Sequence, residues 1–187
     1  MIRGTPLVIR TRVALAAGGL LAAACAATPD AGLGAPERYA DRLAIAETLQ
    51  RYMIGIDSMD ETLYESAFAE DATFELNGQV YEGREAIGEI IVGVRNNRET
   101  RLAASAADGS PPPNTLFHIM MNSRIGFVDE DTAIHRSYYE TISQAPDGTV
   151  RIGAIGRYED VLEKRDGAWL IVKRLLVPNA PAEASLP

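Results

Sequence analysis

The chain is predicted to be an α+β domain, because helical periodicity comes first and long extended runs joined by tight turns follow it. From Glu37 to Ile56 the apolar residues Leu43, Ala46, Leu49, Met53 and Ile56 make one helical stripe, flanked by Ile45 and Tyr52. From Thr115 the pattern becomes four extended runs, 115–128, 132–144, 149–164 and 168–177. Between them stand Asp129-Glu130-Asp131, Pro146-Asp147-Gly148 and Arg165-Asp166-Gly167, residues that favour turns. A chain of this order packs its helices on one face of a curved antiparallel sheet.

After the first helix, Asp57-Ser58-Met59-Asp60 is a break, and Asp60 is a good N-cap for a short helix carrying Leu63, Tyr64, Ala67 and Phe68. Ala72 to Leu76 reads as a strand, Asn77-Gly78 as a hairpin turn, and Val80-Tyr81 as the returning strand. A third helix covers Glu85–Val94, with Ile87, Ile90, Ile91 and Val94 on one face. Residues 96–114, which include three consecutive prolines, read as a long loop placed to act as a lid or rim. Strict alternation along the first long strand puts Phe117, Ile119, Met121, Ile125 and Phe127 on one face. Leu116, His118, Met120, Asn122 and Arg124 take the other.

Residues 1–26 have the layout of a secretory signal peptide: Arg3, Arg10 and Arg12 precede the apolar run Val13–Ala24, and small residues follow. The run is too short to span a bilayer, which takes roughly 20 apolar residues. The single cysteine, Cys25, follows Leu21-Ala22-Ala23-Ala24 and resembles a bacterial lipidation site, although the leucine lies one place further upstream than usual. Cleavage at an Ala-x-Ala site is the alternative. Either route exports the chain, to the periplasm or to a lipid anchor in the bacterial envelope, and leaves no internal disulfide. Residues 27–36 then read as a linker, 37–178 as one domain and 179–187 as a disordered tail. The net charge of −8 argues against nucleic acid as a partner. Membrane contact is expected only through the lipid.

Tyr52 and Asp57 close the first helix, and His118, one of two histidines, interrupts the apolar run Leu116–Met121. An imidazole moves protons near pH 7, a carboxylate can orient it, and a phenol can polarise a carbonyl. His135, beside Arg136, is expected to be exposed, and Trp169 and Ile171 to be core. Two distant histidines and one cysteine in the signal region do not make a zinc site, and neither a phosphate-binding glycine loop nor a Gly-x-Ser-x-Gly elbow occurs. No metal and no cofactor are expected.

Several segments together resemble the SnoaL-like group of the nuclear transport factor 2-like superfamily. They are Arg51-Tyr52…Asp57, Phe68-Ala69-Glu70-Asp71-Ala72, Gly83-Arg84-Glu85-Ala86-Ile87, His118…Asn122, Asp131-Thr132-Ala133, Gly156-Arg157-Tyr158 and Asp166-Gly167-Ala168-Trp169. The resemblance spans roughly residues 38–178 and implies a cone-shaped α+β barrel, three helices packed in a strongly curved, mostly antiparallel sheet around an apolar pocket. It maps Tyr52, Asp57 and His118 onto the tyrosine, aspartate and histidine of the dehydratase members. Asn122, Tyr139, Thr141, Tyr158 and Arg174 become the substrate-binding candidates. Two departures separate the chain from scytalone dehydratase: the second histidine of that enzyme has no equivalent in Tyr138–Ser143, and Ile56 replaces the tyrosine before the aspartate. The implied function is a cofactor-independent lyase or isomerase, dehydratase-like, acting on a small apolar carbonyl or hydroxy-carbonyl compound such as a steroid or polyketide. The alternative is an exported non-catalytic domain for small-ligand binding or dimerisation. A homodimer through the sheet is expected in either case.

Overall fold

A computed structural model describes residues 38–179. The signal peptide, the Cys25 lipid site, the linker and the tail beyond residue 179 lie outside the described residues. Helix α1 (Tyr39–Ser58) and the short α2 (Glu61–Glu65) come first. Next are β1 (Phe68–Leu76), β2 (Gln79–Glu82) and helix α3 (Arg84–Asp108). The meander β3 (Thr115–Phe127), β4 (Thr132–Gln144), β5 (Val150–Arg165) and β6 (Ala168–Pro178) completes the domain. The six strands form one open, curved sheet in the order β2-β1-β6-β5-β4-β3. Only β1 and β6 run parallel; every other neighbouring pair is antiparallel. This is the expected α+β cone.

Local chemistry accounts for the helix ends. The Asp60 carboxylate accepts from the Leu63 N–H at 2.9 Å and starts α2 as an N-cap. Gly55 lets α2 approach closely, because a Cβ there would lie 2.6 Å from the Tyr64 nitrogen. Thr48 donates to the Trp169 carbonyl at 2.7 Å and pins α1 to β6.

The predicted loop 96–114 is corrected. Helix α3 continues through residue 108 and ends at Gly109, whose φ of 74° places it in the left-handed region. Residues 95–108 lack an apolar stripe because this half of the helix stands clear of the sheet. Their alanines, arginines and glutamate still favour helix. Phe68 is likewise the start of β1 rather than part of α2.

A second correction concerns β3. Its register against β4 shifts between Met121 and Arg124, and Asn122 has a φ of 54°. This bulge inserts one residue, so alternation changes phase at residues 122–123. His118 and Met120 face the interior before it, while Ile125 and Phe127 do so after it. The two faces assigned by strict alternation are therefore each split.

At the wide end, Asp41 receives Lys164 Nζ at 2.9 Å, Trp169 Nε1 at 2.9 Å and Arg38 Nη1 at 3.0 Å. Hydrogen bonds from Lys164 and then Trp169 lower its pKa to about 2. A carboxylate depressed on folding stabilises the protein above its unfolded pKa, and that contribution disappears as pH falls through the folded value. Asp41→Asn should therefore cost on the order of 1 kcal/mol at pH 7 after solvent screening, and progressively less as pH falls toward and through about 2. Urea melts followed by fluorescence of Trp169, the single tryptophan, measure the difference.

Candidate active site

A cavity of about 230 Å³ lies inside the cone, and every element except β2 contributes to its wall. Ile56, Phe74, Leu76, Ile90, Val94 and Leu176 make it largely apolar. The polar groups on it are Tyr52, Tyr64, Asn77, His118, Tyr139, Thr141 and Tyr158. His118, Ile56 and Val94 also line an outer groove of about 220 Å³, so the imidazole stands where interior and exterior meet.

Asp57, in the last turn of α1, binds His118 three times. Its Oδ1 is 2.7 Å from Nδ1, and both carboxylate oxygens lie 3.1 Å from the His118 backbone nitrogen. An N–H on Nδ1 facing a carboxylate leaves the Nε2 lone pair free, which is the tautomer a general base needs. Nε2 has no partner among the described residues. Both side chains keep some exposure, 15% for His118 and 27% for Asp57.

A second Asp–His pair has the same 2.7 Å spacing and a different fate. His135 Nδ1 contacts Asp160 Oδ2, and Ser123 Oγ lies 2.9 Å from His135 Nε2. His135 is fully buried rather than exposed as expected, because it shares the buried face of β4 with Ala133, Ser137 and Tyr139. Asp160 is already paired with Arg174, at 2.7 Å to Nε and 2.8 Å to Nη2. Burial pushes the Asp160 carboxyl up, but the guanidinium outweighs it and holds the pKa below the usual range. Protonating His135 would add a positive charge that no remaining anion balances, in a site shut off from water. The Asp57 carboxylate has no such cation, and its imidazole reaches the cavity. Of the two pairs, only the first joins an imidazole on the cavity wall to a carboxylate with no hydrogen-bonded guanidinium among the described residues.

The phenols form the floor. Tyr52 and Tyr158 are almost fully buried, their rings pack edge to face at 5.9 Å, and the Arg174 guanidinium sits 4.0 Å and 4.4 Å from their ring centroids. Burial raises the Tyr139 pKa, with a smaller contribution from Tyr52, and raises that of Tyr158 further. Both stay protonated, and so remain donors, across the physiological range. Gly156 makes room for the Tyr139 ring, since a Cβ there would lie 2.7 Å from Tyr139 Cε1 and 2.3 Å from the Val177 carbonyl.

Of the candidates named from the sequence, Tyr52, His118, Tyr139, Thr141 and Tyr158 meet on the cavity wall, and Asp57 stands behind the imidazole. The Thr141 hydroxyl bridges the β4–β5 irregularity, accepting from the Ala154 N–H at 2.7 Å. Arg174 is fully buried beneath the tyrosines and does not line the cavity. Asn122 is exposed on the bulge, away from the cavity, because its backbone adopts the left-handed conformation there. Tyr64 was read only as helix core. It lines the cavity, and its buried hydroxyl has no hydrogen-bond partner among the described residues. A tyrosine where an apolar helix position would accept leucine was the available signal. Among the described residues no group of three His, Cys, Asp or Glu side chains gathers in a metal-binding arrangement.

A SnoaL-like domain model matches residues 37–175. Over 47 residues the chain is 53% identical to terrestric acid biosynthesis cluster protein E of Penicillium crustosum, a match covering 25% of this chain and 30% of that protein. The chain thus spans about a third of the length of that curated relative. Among solved structures, it is similar to Rv3472, a Mycobacterium tuberculosis protein of unknown function. That match has 27% identity and a TM-score of 0.60, and covers 75% of this chain and 77% of the other. A candidate scytalone dehydratase from Novosphingobium aromaticivorans shares the fold at 22% identity and a TM-score of 0.58, with 75% of this chain and 85% of the other covered.

Proposed function

The chain belongs to the SnoaL-like domain family, and on that premise we propose that it is a cofactor-independent lyase or isomerase of the dehydratase type. One observation carries the reading: the 2.7 Å Asp57–His118 bond at the edge of an apolar cavity that Tyr52, Tyr64, Tyr139 and Tyr158 also line. In this mechanism Nε2 of His118 takes a proton α to a carbonyl, and the electron pair passes to the carbonyl oxygen. Tyr52, with Tyr139 near it, donates a hydrogen bond to that enolate oxygen. The enolate collapses, a β-hydroxyl leaves, and the imidazolium returns its proton to it, so that water departs. With a β,γ-unsaturated ketone the same step gives a dienolate, and return of the proton to its γ carbon makes the outcome isomerisation. Asp57 stays ionised throughout and balances the imidazolium.

The apolar wall supports a steroid- or polyketide-like substrate, and the candidate scytalone dehydratase among the structural relatives supports elimination as the reaction class. A cleaved or lipidated leader at residues 1–26 would put this chemistry in the periplasm or at a lipid anchor. The test is incubation in D₂O with a panel of cyclic ketones and β-hydroxy ketones, read by mass spectrometry. Stereospecific α-deuteration or loss of water supports the reading; its absence across the panel overturns it.

The second reading, a ligand-binding dimer, is favoured by the outer sheet face. Phe117, Ile142 and Ile152 are register neighbours across β3, β4 and β5, and Phe117 and Ile152 are exposed by 43% and 69%. An isologous pairing of two such stripes would cover both. Phe117→Glu should convert a dimer to a monomer in light-scattering chromatography without moving Tm by more than a few degrees. A monomeric parent protein rejects the dimer.

A further inference from the structure

Three successive stretches of one helix face lead out of the cavity. Ile90 and Val94 line the cavity itself. Val94 and Arg98 line the outer groove, where Asp57 and His118 also lie. Arg98 and Arg101 line the next groove, of about 530 Å³, which shares Met59 and Leu116 with the previous one. Residues 90, 94 and 98 are spaced one turn apart, so this face changes from apolar to cationic about 6 Å beyond the cavity rim.

Arg98 has an unusual electrostatic situation. It is half-buried, yet it makes no hydrogen bond or ion pair with any described residue. Arg38, Arg42, Arg51, Arg84, Arg95 and Arg174 all have hydrogen-bonded partners. Among the described residues Arg98 is the only lysine or arginine on the outer groove, and the whole chain carries a net charge of −8. Asp57, the acid on that groove, is engaged by His118. Glu89 lines the farther groove, more than two helical turns from Arg98. A guanidinium left open beside a proton-transfer pair is a receptor for an anion, and its planar fork suits a carboxylate.

We infer that the substrate is an amphipathic organic acid: its apolar body occupies the cavity along Ile90 and Val94, and its carboxylate rests on Arg98 at the mouth, with Arg101 beyond. The inference rests on the acid–base reading of His118 and narrows it to acidic substrates. It also gives the ligand a direction, reacting carbon inward and carboxylate outward.

The test uses the purified full-length chain and two matched probes, octanoate and octan-1-ol, titrated by calorimetry at low salt. Octanoate should bind about tenfold tighter, the worth of one charge-assisted hydrogen bond at a half-buried site. Arg98→Ala should abolish the preference and leave octanol affinity unchanged, Arg98→Lys should restore part of it, and 0.5 M NaCl should narrow it. Equal affinities in the parent protein, a preference that survives Arg98→Ala, or no binding of either probe overturns the inference. The α-deuteration assay reads the acid–base reading separately. Exchange without a carboxylate preference removes only the inference, and a preference without exchange removes only the reaction.

Discussion

His118→Ala is expected to lower α-proton exchange by about 10²- to 10⁴-fold, the usual contribution of a positioned general base. The fold should survive, because the ring keeps partial exposure and its only side-chain bond is to Asp57. Asp57→Asn should act in the same direction by a different route. It keeps a side-chain oxygen for Nδ1–H but removes the negative charge that balances the imidazolium. Because Asn can also present its amide to the ring and favour the other tautomer, the loss should approach that of the histidine variant. Rates measured in D₂O on whichever ketone the parent protein deuterates, alongside thermal melts of each variant, decide the matter. Parent-level exchange by His118→Ala would remove this pair from the chemistry.

Asp160→Asn is expected to cost about 3–5 kcal/mol of stability, because it leaves the Arg174 guanidinium uncompensated in a site with no solvent exposure. Arg174 cannot escape by losing its proton. In the parent protein Asp160 outweighs burial and raises the Arg174 pKa above the ordinary arginine value; without Asp160 burial eases deprotonation, but a guanidinium still keeps its proton at pH 7. The Asp160 pKa is depressed in the folded state, so its contribution is fully present above the unfolded value near 4 and is lost as pH falls on through the lower folded value. Losing this pair should also loosen Tyr52 and Tyr158, whose rings rest on the guanidinium. Urea denaturation at pH 7 gives the number. A cost below about 1 kcal/mol would mean that the pair contributes little beyond its own desolvation, as exposed ion pairs do.

The sequence was legible where chemistry is local. Asp60 reads as a helix cap and is one, Asn77-Gly78 closes the β1–β2 hairpin, and the three turn clusters of the second half divide four strands. The second half of α3 was not legible, since a helix that packs on nothing writes no apolar stripe. The faces of β3 were misread because a one-residue bulge reverses alternation, and nothing in Met121-Asn122-Ser123-Arg124 announces it beyond an asparagine that tolerates positive φ. His135 was misread because its partner Asp160 comes from the neighbouring strand β5, a pairing that the local sequence around His135 does not show.

By itself the sequence determined the α+β class, the order of elements and the residue types able to move a proton, because propensity, capping and periodicity act over a few neighbouring residues. The resemblance already put Asp57 with His118, but only the tertiary structure gave His135 an aspartate of its own and set the two pairs in different surroundings. Asp57 and Asp160 lie 61 and 25 residues from their imidazoles. The curvature that buries Arg174 against one and opens a cavity beside the other comes from contacts far apart in the chain.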